Sequence, residues 1–319
     1  MRHGPAGAGR CWLIWAAVAP VALWAFMRVF GLERGFPLVP LMAFTPYAAV
    51  AALLVAGVAV ALRNWAAAAV AGLATLSLAV AVLPRAVGDG TVDAAGRETV
   101  TVLSANVHHG TGDANELVNI VDRYRPDLLA IQELTPSFDA EMRRAGIGRL
   151  LPNTVLEMRR DVSGGGLYSR LPLRKVATPQ PFGFRQPRAV LDLPGGRRLR
   201  VVNVHPFPPQ RNEVDLWSET LESLPATGRG IPWLLIGDFN ATLDHSQLRE
   251  ILDRGYRDAG EVAGEGLEPT WPAEKWAGRL PGVTIDHVLA DERIDVVDYS
   301  VEELPGTDHR PVLAELALP

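Results

Sequence analysis

The sequence predicts an α/β protein: a four-layer α/β/β/α sandwich of two mixed sheets, preceded by an all-α transmembrane region. Three observations predict it. The first 89 residues hold three long apolar stretches with almost no charge inside them. From Thr99 onward, short β-rich runs alternate with amphipathic segments, and strands outnumber helices, the texture of two sheets packed face to face with helices outside. Short motifs rich in carboxylate, amide and imidazole fall where strands should end, so one edge of the sheets collects them.

The apolar stretches cover about 11–30, 38–62 and 65–83. Each is near the ~20 residues a helix needs to cross a bilayer. Trp12, Trp15, Trp24, Tyr47 and Trp65 sit mostly toward their ends, as interfacial aromatics do, and Arg28 is close enough to an end to snorkel. The first stretch lacks a clear small-x-small cleavage site, which argues against a removed signal. Three spans place the rest of the chain on the opposite side of the membrane from the N-terminus. Arg2 and Arg10 precede the first span and resist translocation. The expectation is therefore a multi-pass protein of the cell membrane with an extracytoplasmic catalytic domain.

Charge divides the chain in the same place. Of its 31 basic and 36 acidic residues, six arginines, Glu33 and Asp89 lie in 1–89, a net of +4. The remaining 25 basic and 34 acidic residues give the rest a net of −9. A domain that grips the nucleic-acid backbone without sequence preference is usually basic, so this balance weighs against a duplex nuclease. The single Cys11 excludes an internal disulfide and a cysteine metal site.

The stretch 84–98, with Gly88, Asp89, Gly90 and Gly96, reads as a linker, 90–98 most clearly, and opens a catalytic domain at 99–319. TVTVLSAN is a strand. The apolar spacing of NELVNIVDRY gives a helix, entered through Asp113 or Asn115 and stopped by Pro126. DLLAIQEL is a continuous apolar run, hence a central buried strand. GGGLYSR, AVLDL and LRVVNVH are strands, the last two joined as a hairpin by Pro194-Gly195-Gly196. About 212–224 is a helix, WLLIGDFN a strand, and about 245–254 a helix. TIDHVLA, IDVVDYSVEEL and RPVLAELAL close the domain as strands. The longest irregular stretch is about 260–282, and a loop of that length in a compact domain is usually functional or disordered.

The polar motifs, in order, are Asn106, Gln132-Glu133, Asn203-Val204-His205, Gly237-Asp238-Phe239-Asn240, Asp286-His287 and Asp308-His309. Each alone has a plain structural reading: a salt bridge for Glu133, an Asx turn or cap for Asn106, a tight turn for Gly237–Asn240. Together they suit a hard divalent cation and in-line attack of water on a phosphate ester. Their order resembles the exonuclease–endonuclease–phosphatase superfamily over essentially all of 99–319. That group includes DNase I-like nucleases, abasic-site endonucleases, neutral sphingomyelinases and inositol-polyphosphate phosphatases. The chain also resembles its bacterial membrane-anchored members, some of them linked to glycopeptide resistance and lipid-carrier pyrophosphate.

The resemblance implies a metal-dependent phosphoesterase, with Mg²⁺ or Mn²⁺ on Glu133 and Asp308 and near Asn106. It implies that Asp238 positions or deprotonates the attacking water, and that Asn240, His205 and His309 hold the phosphoryl oxygens. It implies that Asp286 orients His309. Members often carry an acid two positions after the Asn; here that position is His108, which puts a second metal contribution from this strand in question. His287 is expected to be structural, and His109, Arg185 and Arg188 to be solvated or structural. The favoured substrate is a lipid-linked phosphate or pyrophosphate at the bilayer, with extracellular nucleic acid as the alternative. Pro206-Phe207-Pro208-Pro209 and the loop bearing Trp271 and Trp276 are the expected sites of specificity.

Overall fold

The structure is a computed structural model and describes residues 5–177, 183–273 and 281–319, with side chains from Trp12 onward. Trp276 lies outside the described residues. The N-terminal part comprises α1 (Pro5–Phe30), α2 (Leu38–Met42), α3 (Thr45–Ala61), α4 (Trp65–Val82) and the single turn α5 (Pro84–Val87). Small residues close the contacts among α1, α3 and α4: Ala52, Ala59, Ala67 and Ala71 are fully buried. Leu23, Phe26, Leu53, Leu54, Leu73, Leu76 and Val80 face outward. Two stretches, Trp12–Phe30 and Trp65–Val87, are long and apolar enough to cross a membrane.

The expected second span, 38–62, is broken. Pro46 stands in the first turn of α3, where its missing N–H costs nothing, and the Thr45 hydroxyl donates to Met42 O at 2.8 Å. What remains of the span is the 17-residue α3.

The second part begins with β1 (Thr99–Asn106), α6 (Ala114–Tyr124), β2 (Leu128–Gln132), α7 (Pro136–Ala145) and α8 (Ile147–Leu150). It continues through β3 (Asn153–Glu157), β4 (Gly165–Ser169), β5 (Leu173–Val176), β6 (Arg188–Asp192), β7 (Arg198–Val204) and α9 (Val214–Glu222). It ends with β8 (Trp233–Asp238), α10 (Ser246–Leu252), β9 (Tyr256–Asp258), α11 (Ala259–Ala263), β10 (Asp286–Asp291), β11 (Asp295–Val301) and β12 (Val312–Ala317). Asp113 caps α6 by accepting from the N–H groups of Asn115 and Glu116. The elements α7, α8, β3, β5, β9 and α11 add to those expected. The last of these opens the stretch read as an irregular loop.

Two six-stranded sheets form, in the orders β11-β12-β1-β2-β4-β3 and β5-β6-β7-β8-β10-β9. The pairs β1–β2 and β7–β8 are parallel and the other pairs antiparallel. The pleat of period two sorts each strand. Val100, Val102, Leu128, Ala130, Val201, Leu234, Ile236 and Val288 fill the space between the sheets. Leu103, Ala105, Leu129 and Ile131 meet α6 and α7 on one outer face. Val202, Val204 and Leu235 meet α9 and α10 on the other.

The stretch read as a linker begins as an anchor. Arg85, on α5, is buried and makes two 2.8 Å bonds to Asp244, and Arg28 at the end of α1 reaches the same carboxylate at 2.7 Å. Arg28 is thus a partner of the second part rather than a snorkelling residue. The two guanidinium groups outweigh the effect of burial and hold the Asp244 carboxyl below the ordinary range. Glu33 accepts the Ser246 N–H at 2.6 Å at the start of α10, and Val39 O lies 3.0 Å from His245 Nε2. Val39 itself is buried among Val204, Trp217, Leu243 and Leu248.

Candidate active site

The side-chain rows that fill the inter-sheet core turn polar at one end. Val102 is followed on its face by Ser104 and Asn106, Ala130 by Gln132, Val201 by Asn203 and His205, and Ile236 by Asp238. Asp286 precedes Val288 on the antiparallel β10. The pairings bring these ends level: Asn106 is in register with Gln132 across the parallel β1–β2 pair, and Asp286 with Asp238 across the antiparallel β8–β10 pair. Gly237 stands where β8 presses against β7, since a Cβ there would lie 2.1 Å from Val204 O.

Asn106 donates to Glu133 Oε1 at 3.3 Å and to Asp238 Oδ2 at 3.0 Å, and its own Oδ1 accepts the His108 N–H at 3.0 Å. The backbone N–H of His109 donates to Glu133 Oε2 at 2.6 Å. His205 Nε2 lies 3.7 Å from Asp238 Oδ2 and 4.0 Å from Glu133 Oε1. His309 Nδ1 is 2.9 Å from Asp286 Oδ2, and its Nε2 is 3.7 Å from Asp238 Oδ2. The Thr307 hydroxyl donates to Asn106 O and accepts the His309 N–H, tying the chain end to β1. Asn240 donates its N–H to Asp238 Oδ1 and its Nδ2 to Pro206 O.

The electrostatics separate the two histidines. Burial pushes His205 down to about 3, helped by the charge of His309, so His205 is neutral. Burial also opposes the charge on His309, but Asp286 and Asp238 outweigh it and raise the ring to about 10. Burial raises Asp238 to about 7, against the pull of the His309 cation. Four residues at the site adopt left-handed backbone angles, with φ of 43° at His108, 56° at His109, 59° at Glu133 and 49° at Asn240. Such conformations gather at functional sites.

The eight residues expected at the site all arrive at this edge. Asn106 and Asp286 stand behind the others, while Glu133, His205, Asp238, Asn240, Asp308 and His309 line one cleft of about 570 Å³. Asn106 spends both ends of its amide on hydrogen bonds, and Asp308 accepts from Trp271 Nε1 at 3.1 Å while facing His108 Nδ1 at 2.8 Å. Among the described residues two groups bring one ligand atom from each member within 4.8 Å of the others: Glu133 with His108 and His109, and Asp238 with Asp286 and His309. Asn203 stands farther back than expected. It bridges the sheets, accepting from Gln132 Nε2 at 2.7 Å and donating to Ile131 O at 2.7 Å and Gly166 O at 3.1 Å. A Cβ on Gly165 would lie 3.2 Å from the Asn203 amide, which explains part of the glycine run. His287 turns away to Asp258 and Ala241 O, and Arg188 is buried.

The cleft has an apolar side. Phe207, Pro208, Pro209 and Trp271 line it, as anticipated, together with Phe184, whose ring lies 4.8 Å from that of His205. Pro40, Ala43 and Phe44 line it as well. These three come from α2 and the turn after it, inside the stretch read as a membrane span, where nothing in the local sequence marks them as site residues. His109, expected to be solvated or structural, is exposed and lines the cleft.

Buried carboxylates, two imidazoles and an open cleft suit the hydrolysis of phosphate esters. The comparisons give the same class. A profile of the Endonuclease/Exonuclease/phosphatase family matches residues 103–309, and the chain belongs to that family. It is accordingly a metal-dependent hydrolase acting on ester bonds. An endonuclease/exonuclease/phosphatase from Beutenbergia cavernae superposes with a TM-score of 0.54 at 18% identity, covering 70% of this chain and 72% of that one. A Bacteroides thetaiotaomicron family protein gives 0.53 at 17%, covering 70% and 99%. TDP2 of D. rerio, complexed with single strand DNA product, gives 0.53 at 15%, covering 69% and 99%. These likenesses establish the fold. No curated protein matches the chain.

Proposed function

We propose that the chain is a membrane-held phosphoesterase that cleaves the phosphate ester or pyrophosphate of a lipid-linked substrate. The observation that carries this reading is the composition of the cleft. Phosphoryl-handling side chains form one wall, and Pro40, Ala43 and Phe44, from α2 and the turn after it, form part of the other. Both neighbouring long helices expose apolar side chains outward. An ester bound here meets charge at its phosphate and hydrocarbon beside it. The −9 of residues 90–319 disfavours a polyanion such as nucleic acid.

The donor set fits a divalent cation, Mg²⁺ or Mn²⁺, with Glu133 at its centre. When bound, the cation supplies charge neutralisation and Lewis-acid polarisation of the phosphoryl group. Asp238, with its pKa near neutrality, accepts a proton from the attacking water. His309 presents its cationic Nε2 to the phosphoryl oxygens, and Asp286 fixes the ring through Nδ1. Neutral His205 donates one hydrogen bond. Asn240 Nδ2 has a second hydrogen to offer beyond the one on Pro206 O.

Arg28 and Arg85 share the single carboxylate of Asp244, which cancels one of their two charges, leaving Arg2, Arg10 and Arg63 against Arg34 and one residual charge in the balance. This supports an N-terminus inside and a catalytic part outside, as a multi-pass protein of the cell membrane. Protease added to intact cells should then cut the catalytic part; full protection would reverse the orientation. The substrate test compares phosphate release from a long-chain lipid phosphate in vesicles with nicking of plasmid DNA, each with divalent metal and with EDTA. Phe44→Ala should raise KM for the lipid about thirtyfold and leave a small soluble aryl phosphodiester unaffected. That expectation follows from the ~2 kcal/mol a buried aromatic contact contributes. Efficient nicking with no lipid turnover would replace this reading by a nuclease.

A further inference from the structure

The surroundings of Glu133 differ from an all-oxygen Mg²⁺ site. We infer that the cation is held by Glu133 with the imidazoles of His108 and His109, and that the site therefore takes a first-row transition ion such as Mn²⁺ ahead of Mg²⁺. This deepens the reading of a metal-dependent phosphoesterase.

Three observations carry it. A ring nitrogen of His108, a ring nitrogen of His109 and an oxygen of Glu133 lie within 4.8 Å of one another, a spacing one ion can draw together. The carboxylate is already oriented by the Asn106 amide on one oxygen and the His109 N–H on the other, as metal-binding carboxylates are. Finally, Asp308 Oδ1 lies 2.8 Å from His108 Nδ1. A carboxylate that close orients the ring by its charge, as outer carboxylates orient metal-binding histidines.

The chain curls to achieve this. His108, His109 and Glu133 all take positive φ, and the two rings stand edge to face with centroids 5.0 Å apart beside the carboxylate. Asp308 becomes a positioning residue rather than a ligand. Imidazole binds first-row ions with affinity rising from Mn²⁺ toward Cu²⁺, whereas Mg²⁺ prefers oxygen, so the donor set predicts Mn²⁺ above Mg²⁺ and the later ions above Mn²⁺.

The test uses the full chain in detergent, loaded with Mn²⁺ without substrate, so its outcome does not depend on which ester is cleaved. Pulsed EPR of bound Mn²⁺ should show nitrogen-14 modulation from coordinated imidazole. The double variant His108→Ala/His109→Ala should lose that modulation and bind Mn²⁺ about tenfold or more weakly, with Mg²⁺ binding changed by less than about threefold. Asp308→Asn should keep the modulation and weaken Mn²⁺ by about tenfold. Unchanged metal-free thermal unfolding controls for folding, and His109, largely exposed, can be replaced singly if the pair unfolds. Bound Mn²⁺ without nitrogen modulation in the parent protein, or modulation that persists in the double variant, would overturn the inference.

Discussion

Asp244→Asn tests whether the helices and the cleft form one unit. Asp244 is fully buried and receives three guanidinium bonds, two from Arg85 at 2.8 Å and one from Arg28 at 2.7 Å. Removing its charge leaves two little-exposed cations without a counter-ion. Breaking a buried pair from one side costs about 3–5 kcal/mol, or roughly two to three and a half powers of ten in the docked-to-undocked ratio. Hydrogen–deuterium exchange in nanodiscs should accelerate at 38–44 and 243–249 by a factor of that size, while β1, β2 and β8 stay protected. Undocking carries Pro40, Ala43 and Phe44 out of the cleft. KM for an amphiphilic ester should therefore rise while a small soluble ester is cleaved as before. Equal losses on both substrates, or unchanged exchange at those segments, would refute the reasoning.

Acid should act on the same joint. The Asp244 carboxyl is depressed in the folded protein, so its contribution is complete above the ordinary carboxylate value near 4 and is lost as pH falls below it. Exchange at 38–44 should stay slow at pH 5 and rise only below about 4. Turnover of a soluble ester should climb through about pH 7 as Asp238 ionises and decline near 10 as His309 loses its proton. Asp286→Asn removes the largest anionic support of that proton, and the alkaline limb should move to lower pH. His309→Ala should cost on the order of a hundredfold or more in kcat, read under saturating metal. Asn203→Ala leaves Gln132 Nε2, Ile131 O and Gly166 O without their partner, and urea unfolding should show a loss of about 2–4 kcal/mol.

Much of the sheet framework was legible because a strand carries its own period. Val102, Ser104 and Asn106 share a face by alternation alone, and Asp238 inherits the facing of Ile236. The elements that escaped have weaker local signals. β9 has three residues, and β5, Leu-Arg-Lys-Val, lies on an edge with its two central side chains exposed. The larger omissions are long-range. Arg28 and Asp244 are 216 positions apart, and an arginine near the end of an apolar helix reads as an interfacial residue until its partner is placed. Phe44 looks like any aromatic in an apolar run. Asn203 and His205 share a facing in sequence, but only the two-sheet packing tells which one reaches the cleft and which one bridges behind it.

The apolar wall that α2 contributes also changes what a rate measurement means. On the proposed reading, with α1, α3 and α4 in a bilayer, enzyme and lipid would meet by lateral diffusion within a plane. Turnover would then follow the mole fraction of substrate among surrounding lipids, and adding inert phospholipid would slow it even at constant molarity.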